Sequence, residues 1–218
     1  IGLCFRALRI AVLAVTGTTG KSTVVKLIEA MANAAGLRAR AAGNLGVPAL
    51  DLLGAPLDLA ILEVSSFQLE SVDAFAPRTG VLLNLSPDHL DRHGSMEGYR
   101  NAKARLFAQQ GPGQTAILNG DDPLCSSLAL PDGVERLEFT RHRPVRAGAW
   151  LDGRNAIVRR AGRHQSISLE GAESLGPQDD NLLATLLAKL RDLELLYFFG
   201  GWRNRESQIG ARRARGPV

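Results

Sequence analysis

A run of apolar residues near the start of the chain leads directly into a glycine-rich turn and then into a helix-like stretch. Residues 10–15 form the apolar run, the turn reads Thr16-Gly17-Thr18-Thr19-Gly20-Lys21-Ser22-Thr23, and helical spacing continues over residues 22–35. Glycines let the backbone turn its N–H groups towards one point, and a helix N-terminus adds donors and a partial positive charge. This arrangement indicates a phosphate-binding turn within a sheet whose strands alternate with helices.

The rest of the first half continues the same alternation. Short apolar runs, each followed by a polar or glycine-rich turn, predict strands over residues 10–15, 59–64, 81–85 and 115–118. Helical spacing predicts helices over residues 22–35, 48–53, 67–72 and 96–109. We therefore expect an α/β fold, with a mostly parallel sheet flanked by helices and joined by right-handed crossovers.

The pattern changes after Asp121-Asp122-Pro123. Residues 134–169 alternate more and hold more turn residues, and Asp152-Gly153-Arg154-Asn155 is typical of a hairpin turn between strands at 149–151 and 156–159. We interpret this region as a small antiparallel extension flanking the main sheet. A leucine-rich helix is predicted over residues 181–195.

The residue types in the glycine-rich turn suit a nucleoside triphosphate. Lys21 can neutralise the β- and γ-phosphates, and the Ser22 hydroxyl can ligate Mg²⁺. The general phosphate-loop pattern has a glycine five residues before Gly20, where this chain has Val15. A kinase or GTPase is therefore a distant alternative, and a GTPase would also need an Asn-Lys-x-Asp motif that the sequence lacks. A turn that only caps a helix is the other interpretation.

Acidic and histidine side chains follow the other predicted strands. Glu63 ends the second strand, and Asp88 and His89 follow the third. Functional residues of parallel sheets gather beyond the carboxyl ends of the strands, so these side chains and Lys21 are expected at one edge. A carboxylate beside phosphates is a ligand suited to Mg²⁺. Taken alone, Glu63 would instead be interpreted as a solvated acid at a strand end.

The string Thr-Gly-Thr-x-Gly-Lys-Ser-Thr resembles the Mur ligase family and its relative folylpolyglutamate synthase, and the resemblance is strong over residues 12–123. It implies that ATP is bound by Gly17, Thr18, Thr19, Gly20, Lys21, Ser22 and Thr23. It implies Mg²⁺ ligated by Ser22 and Glu63, with a second metal site supported by His89 and Lys103. Lys103 matches the lysine that is carbamylated in most Mur ligases, although by itself it reads as an exposed helix lysine. The implied catalytic residues are Lys21, Glu63, His89 and Lys103.

One stretch indicates which branch of the family the chain resembles. Glu63-Val64-Ser65-Ser66-Phe67-Gln68-Leu69 is more similar to the D-glutamate-adding member than to the tripeptide-forming, alanine-adding or folate members. The substrates implied are UDP-N-acetylmuramoyl-L-alanine and D-glutamate, joined through an acyl phosphate during peptidoglycan synthesis. Asn44, Ser65 and Gln68 are the implied substrate contacts, although Gly43-Asn44 by itself is only a turn signal.

Family members have three domains, and the chain departs from that pattern. We expect residues 1–195 to form the central ATP-binding domain and residues 196–218 a degenerate or truncated start of the C-terminal domain, with the N-terminal UDP-binding domain absent. Asn181 matches an adenine-contacting asparagine and Arg205 a phosphate-contacting arginine. An alternative is a nucleotide-binding fragment without catalytic activity, so we expect little or no phosphate release from this chain alone.

Composition restricts the remaining classes. The net charge of +4 comes from residues 201–218, which hold five arginines and one acid, while the rest of the chain is balanced. No aromatic interleaving accompanies that tail, so a nucleic-acid partner is not expected. The two cysteines, Cys4 and Cys125, have no metal-ligand spacing and fit reduced thiols in a cytoplasmic protein. No apolar run approaches the length of about 18 residues that crosses a bilayer.

Overall fold

The fold is built on one twisted sheet. The computed structural model describes residues 1–44, 46–160 and 162–168. In these residues nine strands form a single sheet in the order β2-β3-β1-β4-β5-β6-β7-β8-β9. The strands are β1 (Ala11–Thr16), β2 (Ala39–Gly43), β3 (Leu59–Glu63), β4 (Thr79–Leu82), β5 (Thr115–Asn119), β6 (Glu135–Thr140), β7 (Gly148–Asp152), β8 (Asn155–Arg160) and β9 (Arg163–Ser168).

The direction of the strands divides the sheet into two parts. Each neighbouring pair from β2 through β7 runs parallel. The pairs β7–β8 and β8–β9 are antiparallel. The predicted mostly parallel α/β sheet with a small antiparallel extension is therefore confirmed.

The strands differ from the sequence prediction in several details. β4 lies at Thr79–Leu82, whereas a strand was predicted over residues 81–85. The extension was expected to begin near residue 134, but β6 and β7 continue the parallel part and antiparallel pairing begins only at β8. Strand β2 was not predicted, because its sequence Ala-Arg-Ala-Ala-Gly holds none of the β-branched or aromatic residues that favour strands. Its parallel register with β3 pairs Ala39 with Leu59, so the tertiary contact with β3 overrides the weak local preference.

Helices cover both faces of the parallel part. The described helices are α1 (Gly2–Ala7), α2 (Lys21–Ala34), α3 (Ser66–Glu70), α4 (Leu90–His93), α5 (Met96–Ala104) and α6 (Pro123–Ser126), with a 3-10 helix at Ala49–Leu52. The predicted helix over residues 96–109 is α5, which ends five residues earlier. The predicted helix over residues 181–195 lies outside the described residues. No described helix has the length and apolar character needed to cross a membrane.

Successive residues of the parallel strands enter two separate cores. In β3, Leu59 and Ile61 pack on the face covered by α2, with Val24 and Ile28, while Ala60 and Leu62 pack on the opposite face. All five residues of β3 are buried. Burial on both faces explains why β1 and β3 are apolar at nearly every position rather than at alternate positions.

Candidate active site

The turn between β1 and α2 closes around the start of the helix. Gly20 is the N-cap residue of α2 and has φ 79°, a left-handed conformation that glycine adopts without strain. A side chain at Gly17 would meet Leu83, whose Cβ would be 2.9 Å from the added atom. The two glycines therefore fit the conformation and the close packing of this turn, which leads the chain into α2. Ser22 and Thr23 follow in the exposed first turn of α2.

Two lysine ammonium groups bind the carbonyl groups of this turn. Lys21 Nζ donates to the carbonyl oxygens of Gly17, at 3.0 Å, and Thr18, at 2.8 Å. Lys103 Nζ donates to the same Gly17 oxygen at 2.9 Å. The structure thus brings Lys21 and Lys103 together at the phosphate-binding turn, and their roles stay predictions.

Lys103 is buried, although a single lysine in a helix would be predicted to be exposed. It is 2% exposed, and its ammonium lies over the Tyr99 ring at 4.6 Å from the centroid. Burial, with the nearby Lys21 charge as a second cause, lowers the pKa of Lys103 from 10.5 to about 7. Near neutral pH this lysine is therefore a mixture of ammonium and nucleophilic amine. Tyr99 continues the contact to the turn, because its hydroxyl lies 3.3 Å from Thr18 Oγ1.

The strand-end carboxylate of Glu63 faces the start of α2. Ser22 Oγ donates to Glu63 Oε2 at 2.7 Å, and Asn44 Nδ2 donates to Glu63 Oε1 at 3.2 Å. Glu63 is 2% exposed, and both of these donors are neutral. A buried carboxylate beside a serine hydroxyl at a phosphate-binding turn fits a hard divalent cation such as Mg²⁺.

The donor set is small for a metal held by protein alone. Within the described ranges no group of three or more His, Cys, Asp and Glu side chains could hold a metal ion. Mg²⁺ in nucleotide sites is commonly held by one or two carboxylates together with phosphate oxygens and water. Ser22 and Glu63 therefore fit Mg²⁺ that accompanies a nucleotide.

His89 occupies a special backbone position at the start of α4. Its φ of 51° makes it the one non-glycine residue with positive φ in the part of the chain that the structure describes. Its ring lies 4.9 Å from the Phe67 ring, and Nε2 lies 3.5 Å from Asp88 Oδ2. It makes no described hydrogen bond to Glu63 or Lys103, so the structure brings it to the same edge without joining it to them. Unusual backbone conformations of this kind are concentrated at functional sites.

The predicted substrate residues Ser65 and Gln68 contact each other. Ser65 is the N-cap of α3, its hydroxyl accepts from the Gln68 N–H at 3.2 Å, and Gln68 Oε1 accepts from the Ser65 N–H at 3.0 Å. This reciprocal pair is a capping box, which by itself explains the two residue types. The third predicted contact, Asn44, bonds Glu63 as described above. Asn181 and Arg205 lie outside the described residues.

His93 is a buried side chain that the sequence interpretation did not single out. Its side chain is 1% exposed, Nδ1 lies 3.0 Å from Glu70 Oε1, and Nε2 lies 3.1 Å from Ser66 Oγ. Its ring stacks on Phe67 at 5.6 Å. The residue thus ties α4 to α3, and the tie positions the loops that carry His89 and Ser65. The only available signal was its place one turn after His89 in the sequence.

Asn84 is the second residue that the sequence interpretation left without a role. Its Oδ1 accepts from the backbone N–H groups of Thr18, at 3.0 Å, and Thr19, at 2.9 Å. Its Nδ2 donates to the Thr19 carbonyl oxygen at 3.3 Å. Ser86, two residues on, exchanges hydrogen bonds with Thr18 Oγ1. The segment after β4 thus supports the phosphate-binding turn from the side.

The fold is that of a Mur ligase middle domain. The family model of the Mur ligase middle domain matches residues 15–164, and the chain belongs to this family.

Relatives support that assignment. The chain is 39% identical over 200 residues to a UDP-N-acetylmuramoylalanine–D-glutamate ligase of Pelotomaculum thermopropionicum, covering 88% of this chain and 43% of that protein. It is 56% identical over 124 residues to the ligase of the same name from Desulfotalea psychrophila, covering 56% of this chain and 26% of that protein. The chain thus spans less than half the length of these relatives.

A solved structure agrees with the fold. The chain resembles the MurF ligase of Thermotoga maritima in complex with ADP, with a TM-score of 0.60 and 18% identity, covering 88% of this chain and 47% of that one. At this identity the likeness concerns the fold.

Proposed function

We propose that the chain is the ATP-binding middle domain of a ligase that joins UDP-N-acetylmuramoyl-L-alanine to D-glutamate in the cytoplasm, in peptidoglycan synthesis. The observation that carries the proposal is the 2.7 Å hydrogen bond between Ser22 and the buried Glu63, immediately after the phosphate-binding Lys21. The D-glutamate branch is supported by relatives that carry the name of that ligase.

The nucleotide part of the proposal assigns the turn to the phosphates of ATP. Gly17, Thr18, Thr19 and Gly20 shape the turn, and Ser22 and Thr23 open the helix whose N–H groups and partial positive end attract phosphate oxygens. Lys21 neutralises the β- and γ-phosphates, and in doing so exchanges its carbonyl partners for phosphate oxygens. Ser22 and Glu63 hold Mg²⁺, which supplies further charge neutralisation on the triphosphate when bound.

The chemical step then depends on positioning and charge. The substrate carboxylate attacks the γ-phosphorus of ATP, the bond to the bridging oxygen breaks, and ADP leaves. The amine of D-glutamate attacks the resulting acyl phosphate and phosphate is released as the amide forms. Lys21 offsets the charge on the transferring phosphoryl group, a contribution typical of phosphoryl transfer. His89 and Lys103 support a second metal site at the same edge.

Lys103 has the chemical property that carbamylation requires. A carbamate forms when an uncharged amine attacks CO₂, so a lysine with an ordinary pKa is almost entirely unreactive at pH 7. Burial lowers the pKa of Lys103 to about 7, so a large fraction of its amine is uncharged there. We propose that Lys103 is carbamylated in the active protein and then carries a negative charge beside the second metal site.

The remaining assignments complete the proposal. Asn44, Ser65 and Gln68 contact the muramoyl substrate, Asn181 contacts adenine and Arg205 contacts phosphate. Residues 1–195 form the middle domain and residues 196–218 the start of the C-terminal domain, while the domain that holds the UDP group is supplied outside these residues.

Nucleotide binding by this chain is the direct test. We expect one MgATP per chain by isothermal titration calorimetry, and a loss of affinity of at least about 100-fold in Lys21→Ala, because a charge-assisted contact to phosphate is removed. Lys26→Ala is the matched control, since Lys26 is exposed on the same helix. Equal MgATP binding by wild type and Lys21→Ala would exclude the proposed phosphate site.

The ligase branch has a separate test. With UDP-N-acetylmuramoyl-L-alanine, ATP and the flanking domains present, D-glutamate should give a dipeptide product detectable by mass spectrometry. Little or no phosphate release is expected from the 218-residue chain alone. Product formation with another amino acid in preference to D-glutamate would assign the chain to a different branch of the family.

A further inference from the structure

The carboxamide of Asn84 bonds the phosphate-binding turn through both its oxygen and its nitrogen. It follows β4 by two residues, in Asn84-Leu85-Ser86, and is half-buried. Only the oxygen of a carboxamide can accept hydrogen bonds from backbone N–H groups. The bonds from Thr18 and Thr19 therefore fix the orientation of the Asn84 carboxamide. The amide nitrogen then donates back to the Thr19 carbonyl. One side chain therefore holds both the N–H and the carbonyl group of Thr19.

These bonds sort the peptide groups of the turn by direction. The N–H groups of Thr18 and Thr19 point towards Asn84, and the carbonyl groups of Gly17 and Thr18 point towards the lysine ammonium groups. The N–H groups that open α2 point along the helix axis into the turn. The N–H groups at the start of α2 are therefore the donors that face a phosphate, while the N–H groups of Thr18 and Thr19 bond Asn84.

The two N–H groups depend on Asn84 to different degrees. The Thr18 N–H is shared between Asn84 Oδ1 and the backbone carbonyl oxygen of Asn84, at 3.1 Å. The Thr19 N–H bonds the side chain. Without the carboxamide, the Thr18 N–H would keep its backbone acceptor, but the Thr19 N–H would lose the acceptor described above. The loss of order is therefore expected at Thr19, which precedes the N-cap residue Gly20.

We propose that Asn84 is a positioning residue for the nucleotide: it holds the Thr18–Thr19 peptide groups so that the start of α2 meets the triphosphate. The inference rests on the proposed ATP site and adds to it a residue from a different strand.

Calorimetry on the 218-residue chain with Asn84→Ala tests this role. MgATP affinity should fall about tenfold, as expected from the loss of the three neutral hydrogen bonds between the Asn84 carboxamide and the turn. The affinity for inorganic tripolyphosphate should fall by the same factor, because the partners of Asn84 lie in the phosphate-binding turn and not near the adenine base. In the nucleotide-free chain, hydrogen exchange should accelerate more at the Thr19 amide than at the Thr18 amide.

Asn119→Ala is the matched control. Asn119 ends the neighbouring strand β5, where its Nδ2 donates to the Leu83 carbonyl at 2.8 Å and its Oδ1 accepts from the Asp121 N–H at 2.9 Å. It therefore loses two amide hydrogen bonds at the same sheet edge without touching the turn, and its MgATP affinity should stay within about twofold of wild type. Asn84→Ser, whose hydroxyl is too short to reach Thr19, replaces Asn84→Ala if that variant does not fold.

The outcomes separate the two proposals. If the wild-type chain binds MgATP and the Asn84 and Asn119 variants have equal affinity for it, the positioning role is overturned and the ATP site stands. Weakened binding of ATP with unchanged tripolyphosphate binding also overturns it, since Asn84 would then act away from the phosphates. Failure of the wild-type chain to bind MgATP overturns the ATP site itself, and the positioning role with it.

Discussion

The parallel part of the sheet and its antiparallel end differ in burial and in chemistry. Strand β3 is buried at every position, whereas β9 is exposed or partly exposed at every position and β8 buries two of its six residues. The polar groups of the candidate site, including Lys21, Glu63 and Lys103, follow or pack beside the carboxyl ends of the parallel strands. The antiparallel end contributes none of the described site residues.

The difference explains why the candidate site lies at one edge. Parallel strands need crossover connections, and each of the strands β1 to β5 ends in a turn that leads towards a helix at the same edge. An antiparallel hairpin reverses at alternate edges, as β7 and β8 do through the short turn at Gly153. If this division is correct, changes in the parallel part should alter stability and nucleotide binding, and changes at the antiparallel end should alter stability alone.

The largest expected effect concerns the charge of Lys103. In the unfolded chain this lysine keeps its proton up to a pH near 10.5, but in the fold it loses the proton near pH 7. Between these values the unfolded state binds more protons, so stability should rise with pH. Relative to Lys103→Met, the wild-type free energy of unfolding should rise by up to about 1.4 kcal/mol per pH unit. Urea unfolding from pH 7 to 9 in CO₂-free buffer measures this slope.

The control for that slope is Lys26→Met, at an exposed position of α2. Its pH dependence should run parallel to that of wild type. Parallel curves for wild type and Lys103→Met as well would show that Lys103 is not desolvated in solution.

A smaller loss is expected at the tie between α3 and α4. His93→Phe keeps a ring against Phe67 and Tyr99 but removes the partner of Glu70 and of the buried Ser66. Glu70 keeps its ion pair with Arg92, but the buried Ser66 hydroxyl loses its described partner, so the free energy of unfolding should fall by about 1–3 kcal/mol. Chemical denaturation measures this, with His142→Phe at an exposed position as the control. A stability equal to that of wild type would mean that the buried hydrogen bonds contribute nothing.

The smallest effect is expected at the antiparallel end. Gly153 has φ 57° and no atom within 4 Å of an added Cβ, so Gly153→Ala introduces backbone strain without a clash. The cost should be about 1 kcal/mol, and Gly153→Asn should cost less because asparagine tolerates this conformation. Thermal unfolding measures both variants, and MgATP affinity should equal that of wild type. A change in affinity would break the division between the two parts of the sheet.

Much of the fold could be predicted because its signals are local. The runs that became β1, β3, β4 and β5 are mostly apolar, and the turn Asp152-Gly153-Arg154-Asn155 correctly predicted the hairpin. Strand β2 could not be predicted, since its alanines and glycine prefer no strand and only pairing with β3 extends them. The parallel direction of β6 and β7 was not predicted either, because an alternating pattern of polar and apolar residues does not indicate which neighbour a strand pairs with.

The candidate site divides in the same way. Lys21, Ser22 and Glu63 could be predicted to meet because each lies at the end of a recognisable strand, and the structure joins Ser22 to Glu63. The partners of Asn84 and His93 could not be predicted, because each bonds residues from another element, and for Asn84 these lie more than 60 positions away. The burial of Lys103 was likewise hidden in a helix sequence that reads as exposed.

The sequence by itself determined the glycine-rich turn between β1 and α2, since glycines, a lysine and hydroxyls between a strand and a helix favour such a turn. It also determined the class of fold, through strands apolar on both faces alternating with helices. Only the tertiary structure decided that Asn84 bonds the peptide groups of that turn, that burial lowers the pKa of Lys103 to about 7, and that His93 ties α4 to α3. Hydrogen bonds and desolvation depend on which groups, distant in the sequence, the fold brings within a few ångströms of each other. A local sequence pattern does not contain that information.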